Sequence, residues 1–160
     1  MDKKNVIAVD AMGGENSPKK IIDGIKLVLK NNNNLYFNLF GKSDQINNLI
    51  ENNDLIKQKC KIFDSKLTIK DNESPLQAAK KNDRSSMWQT LNSVKINESH
   101  IALSAGNTGA LLILSKMILE MIKGIDKPAL AGLWPNKKGM NIVLDLGANI
   151  ECSDKNLIDF

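Results

Sequence analysis

The 160-residue sequence is poor in aromatic residues, cysteine and histidine, and each shortage argues against a class of function. Four Phe, two Trp and one Tyr are too few to alternate with basic residues as stacking platforms for single-stranded nucleic acid. Cys60 and Cys152 are far apart, and His100, the only histidine, is near neither, so neither a zinc site nor a disulfide framework is predicted. We expect no nucleic-acid partner and no metal, and a structural role for His100.

Long uncharged apolar runs are also missing. Residues 110–125 form the most apolar stretch, but Lys116, Glu120 and Lys123 interrupt it, which a membrane-spanning helix disfavours. Residues 1–10 place a basic cluster before an apolar run that is too short for a secretory signal. The 22 Lys plus Arg are interspersed with 18 Asp plus Glu, so the net charge of +4 forms no block. We therefore expect a cytosolic protein without a membrane span.

The sequence does contain enough apolar residues, 42%, for a core, and they fall into alternating strand-like and helix-like segments. Residues 6–9 predict a strand that enters a glycine turn, and Ser17 before Pro18 predicts a capped helix. Residues 35–40 and 61–63 predict further strands. Apolar spacing or serine caps predict helices around residues 46–50, Ser74-Pro75 and Ser85-Ser86. This alternation predicts an α/β fold with a largely parallel open sheet and helices on both faces.

The later part of the chain repeats the pattern and adds a hairpin. Residues 101–104 predict a strand, followed by a glycine turn and a long apolar helix over residues 110–125. Residues 129–134 and 141–146 predict two strands joined by a polar turn, which favours an antiparallel pair. The last residues predict an amphipathic helix without a stop signal. We expect the chain to be the N-terminal portion, residues 1–160, of a single α/β catalytic domain.

The strongest candidate site is the turn of Ser104, Ala105, Gly106, Asn107, Thr108 and Gly109. Glycines let backbone N–H groups approach a ligand, and the following helix adds its positive end, which suits a phosphate. No Gly-Lys-Ser/Thr follows and the glycines are three apart, so ATP and NAD are not predicted. A tight connection with Asn107 or Thr108 as the helix cap is the simpler alternative.

Two further strand ends carry similar residues. Asp10 precedes Gly13 and Gly14, and Asp145 precedes Asn149. Ligands collect at the carboxyl ends of the strands in open parallel sheets. Taken singly, Asp10 is interpreted as a helix-capping carboxylate and Asn149 as the cap of the final helix. Three such strand ends together favour a shared site.

Five segments, in this order, resemble the bacterial phosphate acyltransferase (PlsX) family: IAVDAMGGENSP, SPLQAAKKNDRSSM, LSAGNTGALL, GIDKPALAGLWP and IVLDLGANI. The resemblance covers the chain from residue 7 to residue 160. The family usually has Asp where Glu15 stands, and its members continue for about as many residues again beyond residue 160. It implies the fold of isocitrate and isopropylmalate dehydrogenases.

The resemblance implies that phosphate attacks the thioester of an acylated carrier protein, giving acyl phosphate for the membrane glycerol-phosphate acyltransferase. It implies no metal or organic cofactor. Since phosphate is the nucleophile, the site has to orient the anion and stabilise the oxyanion. A cytoplasmic protein is implied, with association at the inner face of the membrane as an open alternative.

The resemblance also implies a homodimer. Lys116, Glu120 and Lys123 form one narrow polar stripe on the predicted helix, so most of its circumference has to be covered. We infer contact with a second subunit, while burial within one subunit is the alternative.

The strand ends and the resemblance together predict the site residues. We expect a catalytic set of Asp10, Asn107, Asp145 and Asn149. We expect a phosphate-binding set of Gly13, Gly14, Ser104, Gly106, Asn107, Thr108, Gly109 and Arg84. We expect contacts with the acyl carrier or the phosphate from Lys80, Lys81, Ser85 and Ser86.

Arg84 is included because it is the only arginine among 22 cationic side chains, and a guanidinium can give phosphate two parallel hydrogen bonds. A solvated helix face is the alternative for these basic residues. Two other functions stay open. One is a nucleotide-linked dehydrogenase or acetyl-phosphate-forming transferase of the same architecture, and the other is an inactive interaction piece.

Overall fold

A computed structural model describes residues 4–32, 34–80, 84–149 and 151–160. The chain divides into two compact units, Met1–Leu119 and Glu120–Phe160. The expectation that the chain is one portion of a single catalytic domain stays a prediction.

The first unit is built on a parallel sheet of strands β1 (Asn5–Asp10), β2 (Leu35–Gly41), β3 (Cys60–Asp64) and β4 (Ile101–Leu103). The strand order is β3-β2-β1-β4, and all three pairings are parallel. The predicted α/β fold with a parallel sheet is confirmed. Because β1 and β4 are neighbours, the turns that follow them leave the same edge of the sheet.

Helices cover the sheet in two apolar clusters. Helices α1 (Lys19–Leu29), α2 (Ser43–Ile50) and α3 (Asp54–Lys59) pack through Ile22, Ile46 and Ile56 with Val9 of β1. Helices α4 (Pro75–Ala79), α5 (Ser86–Lys95) and α6 (Thr108–Leu119) pack through Ala78, Leu91 and Leu114 with Ala102 of β4. Ala102 pairs with Ala8, the neighbour of Val9, so the two clusters lie on opposite faces of the sheet.

The helix starts follow the predicted caps in two cases of three. Ser74 accepts a hydrogen bond from the Gln77 N–H, and Ser85 accepts one from the Trp88 N–H, as predicted. The predicted cap at Ser17 is wrong. Helix α1 begins with Pro18 at the N-cap and no side-chain cap, because the Ser17 hydroxyl instead donates to the Gly13 carbonyl at 2.6 Å.

Helix α6 is shorter than predicted. It ends at Leu119 because Glu120 takes a left-handed backbone conformation with φ of 65°, although apolar residues continue along the sequence. Glu120 and Lys123 therefore lie outside the helix, and the predicted polar stripe is wrong. In the described part of the chain, no helix is both long and apolar enough to cross a bilayer.

The second unit contains a hairpin of β5 (Gly132–Asn136) and β6 (Gly139–Val143), followed by α7 (Asp154–Asp159). The strands are antiparallel, with Asn136 opposite Gly139, so the connection is the two residues Lys137 and Lys138. The predicted antiparallel pair is confirmed, although β5 begins three residues later and β6 two residues earlier than expected.

Each unit carries one free cysteine. Cys60 lies in β3, and burial raises the pKa of its thiol to about 12. Cys152 is exposed in the second unit.

Candidate functional site

A chain of hydrogen bonds joins the two glycine turns at the ends of β1 and β4. Asp10 is 1% exposed, and its Oδ2 accepts a hydrogen bond from Ser104 Oγ at 2.8 Å. Its Oδ1 accepts one from the Met12 N–H at 3.2 Å. Ser104 Oγ in turn accepts from the Gly106 N–H at 3.2 Å. The structure therefore brings the first two predicted strand ends together.

The glycines allow these turns to touch. A Cβ on Gly13 would lie 2.8 Å from the Gly106 nitrogen and 2.8 Å from Asp10 Oδ2. A Cβ on Gly106 would lie 3.2 Å from the Gly13 Cα. Gly14 has a φ of 83°, and a Cβ there would lie 2.7 Å from the Ala105 carbonyl oxygen. Close contact between backbones is the role that the structure gives to Gly13, Gly14 and Gly106.

Burial raises the pKa of the Asp10 carboxyl, because a buried carboxylate loses its hydration. The Ser86 and Ser104 hydroxyls and the Met12 N–H oppose this rise. Ser86 is 1% exposed, and its hydroxyl has no hydrogen-bond partner among the residues that the structure describes. It lies beside Asp10, close enough to lower the pKa but outside hydrogen-bond geometry.

Asn107 holds the start of α6. Its Oδ1 accepts from the Ala110 N–H at 2.9 Å, which confirms that it caps the helix. Its Nδ2 donates to the carbonyls of Asp71 and Glu73, both at 2.9 Å. The side chain is thus occupied within the protein. The N–H groups of the next two residues, Thr108 and Gly109, fall where a helix offers no carbonyl acceptor.

Beside the turns lies an open groove of about 1460 Å³ between α1 and β4. Its lining includes both glycine turns and apolar side chains such as Ile21, Leu27 and Leu103. Lys19 and Lys20 also line it and were missed from the sequence, although they stand just after the first glycine turn. Both lysines are exposed, and Lys19 Nζ is 2.7 Å from Asp23 Oδ2.

Of the predicted carrier or phosphate contacts, Ser86 lies beside Asp10, and none of those that the structure describes lines the groove. Lys80 and Arg84 are exposed and are not among the described residues that line the groove. Ser85 and Ser86 are buried at the start of α5. Lys81 lies outside the described residues. The roles of these residues stay predictions.

Asp145 and Asn149 form a clamp within the second unit. Asp145 Oδ1 accepts from the Leu130 N–H at 2.6 Å, and Oδ2 accepts from the Asn149 N–H at 2.8 Å. Asn149 Nδ2 also donates to the Pro128 carbonyl at 2.8 Å. The Leu130 N–H is the main reason that the pKa of Asp145 is lowered. Asn149 does not cap the last helix, since Ser153 does, so that alternative is wrong, and the catalytic roles of both residues stay predictions.

His100 lies at the opposite end of β1 from Asp10. Its Nδ1 accepts from the Val6 N–H at 3.1 Å, and its own N–H donates to the Val6 carbonyl at 2.8 Å. This is the structural role predicted for it. No group of three or more His, Cys, Asp or Glu that could hold a metal ion occurs among the residues whose structure is described.

Comparison with known proteins gives consistent matches. Residues 5–160 match the sequence profile of a family described as "Fatty acid synthesis protein". A phosphate acyltransferase of Pelagibacter ubique is 56% identical over 160 residues, which cover 100% of this chain and 47% of the relative. Those of Rhodospirillum rubrum and Clostridium acetobutylicum are 39% and 34% identical over 160 and 155 residues, covering 100% and 97% of this chain and 46% and 47% of the relatives. The chain spans about half the length of the curated relatives it matches.

Proposed function

The chain belongs to the fatty acid synthesis protein family, and on that premise we propose that it provides the anion-binding part of an acyltransferase of phospholipid synthesis. The proposed reaction converts an acyl-acyl-carrier-protein and inorganic phosphate into acyl phosphate and free carrier. The name of the relatives, phosphate acyltransferase, supports this reaction. The observation that carries the proposal is that the glycine turn after β1 is joined to the glycine turn at the start of α6, beside an open groove.

Phosphate is held, in this proposal, at the N-terminus of α6. The N–H groups of Thr108 and Gly109 supply two donors, and the twelve-residue helix adds the positive end of its dipole. Lys20, which lines the same groove, supplies a positive charge. The Gly106 N–H and the Asn107 side chain already have acceptors or donors within the protein, so they act by holding the turn.

The chemistry asks little of the protein beyond orientation and charge. A phosphate oxygen attacks the thioester carbonyl carbon, a C–O bond forms, and the C–S bond breaks. The carrier sulfur leaves with the electron pair of the C–S bond and takes up the proton that the attacking phosphate loses. Since phosphate is the nucleophile, the reaction needs no nucleophilic side chain, and fixed N–H donors can both orient the phosphate and stabilise the oxyanion.

We also propose a cytoplasmic homodimer that passes acyl phosphate to the glycerol-phosphate acyltransferase at the inner face of the membrane. One face of the hairpin supports the dimer, because Leu133 and Pro135 lie opposite Ile142 and Met140 and all four are exposed. A two-stranded hairpin is marginally stable alone, so a covering surface is expected. Analytical ultracentrifugation tests this: the parent chain should sediment as a dimer and Ile142→Lys as a monomer. A parent chain that sediments as a monomer would contradict the proposed dimer.

The test of the reaction uses a chimera in which this chain replaces the matching residues of the Pelagibacter ubique relative. We expect the chimera to release carrier thiol from acyl carrier protein only when phosphate is present, with acyl phosphate as the product. We expect no measurable turnover from the 160-residue chain alone, because it spans about half the length of its relatives. A folded but inactive chimera beside an active relative would overturn the proposal, and turnover by the chain alone would overturn the second expectation.

Arg84 separates two of the predicted contacts. Arg84→Lys keeps the charge but loses the paired hydrogen bonds of a guanidinium. If Arg84 contacts phosphate, the phosphate requirement of the chimera rises about ten- to a hundredfold. Arg84 is exposed and is not among the described residues that line the groove, which suits contact with the carrier. A selective rise in the carrier requirement of Arg84→Lys would assign Arg84 to carrier docking.

A further inference from the structure

Asp10 is placed to hold the site together and not to meet a substrate. We infer that Asp10 and Ser104 are a positioning pair that sets the conformation of the turn before α6, and through it the anion-binding N–H groups of Thr108 and Gly109. The part of this inference that concerns phosphate rests on the proposed function.

Asp10 and Ser104 connect the two glycine turns by hydrogen bonds. Asp10 fixes the first turn through the Met12 N–H and the second through the Ser104 hydroxyl. Ser104 donates to Asp10 and accepts from Gly106, so a single oxygen atom relays the position of the carboxylate to the backbone of the second turn. Two residues after Gly106, helix α6 begins.

The two glycine turns pack directly against each other. A Cβ on Gly106 would lie 3.2 Å from the Gly13 Cα, so the two turns are already in backbone contact. Asp10 is buried beneath them at 1% exposure, which keeps solvent from replacing Ser104 as its partner. A shift in either turn therefore shifts the other.

Burial also separates a positioning role from a catalytic one. Both carboxylate oxygens of Asp10 have donors within the protein, and the side chain is not among the groove-lining part of the described structure. From this buried position, Asp10 can influence the ligand only through Ser104. The pKa of Asp10 is raised by burial and lowered by these same donors, which agrees with their proximity.

The experiment is a phosphate titration of the 160-residue chain, followed by the amide NMR signals of Thr108 and Gly109. Sodium chloride at equal ionic strength is the reference. Ser104→Ala removes the relay, and Ser104→Thr restores a hydroxyl. Ser93→Ala is the matched control, because it breaks a buried 2.8 Å hydrogen bond with Ser99 in the same unit.

We expect Ser104→Ala to weaken phosphate binding about tenfold, the loss of roughly one hydrogen bond's contribution. Ser104→Thr and Ser93→Ala are expected to stay within about twofold of the parent chain, which is close to the precision of such comparisons. If Ser104→Ala does not fold, Asp10→Asn replaces it, since its amide turns the acceptor facing Ser104 into a donor. Unchanged binding in the folded variant, or an equal loss in Ser93→Ala, would overturn the positioning role and leave the proposed function standing.

A second measurement keeps the two claims apart. Amide hydrogen exchange at Gly106 is expected to be faster in Ser104→Ala than in the parent chain, whether or not phosphate binds, because the N–H loses its acceptor. If the parent chain shows no saturable phosphate shift, the proposed anion site fails. Faster exchange at Gly106 in Asp10→Asn, where the changed residue contacts Ser104 and not the Gly106 N–H, then still supports the coupling of the turns, and unchanged exchange overturns it.

Discussion

The two units of the chain treat their apolar residues in opposite ways. Across the described ranges, every buried apolar side chain lies in Met1–Leu119, and most belong to two clusters, one on each face of the parallel sheet. In Glu120–Phe160 the apolar residues of the hairpin and α7 are exposed, as Ile142 at 70% and Ile158 at 84% show. The sequence patterns of the two units look alike. A pattern of apolar residues therefore predicts strands and helices, but it does not say what covers them.

Asp10 and Asp145 repeat this contrast at the level of single carboxyl groups. Asp10 ends β1 and Asp145 stands two residues after β6, and a glycine follows each within three residues. Burial raises the pKa of Asp10, whereas backbone N–H donors, first that of Leu130, lower the pKa of Asp145. Similar local sequences thus produce carboxyl groups with opposite preferences for a proton.

The largest expected effect comes from comparing a buried leucine of the first unit with an exposed leucine of the second, each truncated to alanine. Leu114→Ala removes a fully buried side chain of α6 and should lower the free energy of unfolding of the first unit by about 2–5 kcal/mol. In the Ile142→Lys background, which removes the proposed dimer contact, Leu133→Ala removes a side chain that is 67% exposed and should change stability by less than about 0.5 kcal/mol.

Trp88 lies in the first unit and Trp134 in the second, so urea unfolding can be followed unit by unit in Trp134→Phe and Trp88→Phe backgrounds. A loss above about 2 kcal/mol for Leu133→Ala in the Ile142→Lys background would contradict the exposure of this side chain within one chain, whereas such a loss only without Ile142→Lys would support the proposed dimer.

Asn107 tests whether the α6 turn is held by its cap alone. Asn107→Ala removes the cap and the bonds to the 71–73 segment, and should cost about 1–2 kcal/mol. Asn107→Asp keeps an acceptor for the Ala110 N–H but loses the amide donors. We expect Asp to recover only part of the loss in urea unfolding, and full recovery would show that the 71–73 segment contributes nothing.

The carboxyl contrast predicts opposite pH dependences. The raised pKa of Asp10 contributes stability that is fully present below 3.8 and is lost as the pH rises through the folded-state pKa. The stability advantage of the parent chain over Asp10→Asn should therefore shrink as the pH rises above 3.8.

Asp145, with its lowered pKa, contributes stability above 3.8 that is lost as the pH falls through its folded-state pKa. The advantage over Asp145→Asn should shrink only below 3.8. Urea unfolding of the three proteins on both sides of that pH, read at the tryptophan of the relevant unit, checks both slopes. Parallel slopes would remove the distinction between the two carboxyl groups.

Ser86→Ala should have the smallest effect. It removes a buried hydroxyl without a hydrogen-bond partner in the described structure, so stability should rise or stay within about 1 kcal/mol. The pKa of Asp10 should rise further, since Ser86 lowers it. A carbonyl-carbon NMR titration of Asp10 checks this, and a large loss of stability would indicate that the hydroxyl does bond to Asp10.

The sequence predicted local structure well where the signal was local. Serine caps located α4 and α5, and apolar alternation located the strands. Helix α3 was missed because Ile56 is its only buried residue, so its sequence shows no apolar helical period. The end of α6 was missed because apolar residues continue past Leu119, and only the backbone conformation of Glu120 stops the helix.

The site was predictable only in part for a similar reason. The glycine turns and Asp10 could be recognised from their places after strands. The bond between Asp10 and Ser104 joins residues 94 positions apart, and no local pattern encodes it. Lys19 and Lys20 became candidates only when the groove beside the turns was known.

The two cysteines allow the two units to be compared by their rates of alkylation. A thiol with a pKa near 12 is almost entirely protonated at neutral pH, and Cys60 is half-buried, so alkylating reagents react slowly with Cys60 while β3 stays in the sheet. Cys152 is exposed and reacts without such an opening. The ratio of the two labelling rates therefore rises when the β3 edge loosens, with Cys152 as an internal standard in the same molecule and without any substitution in the chain.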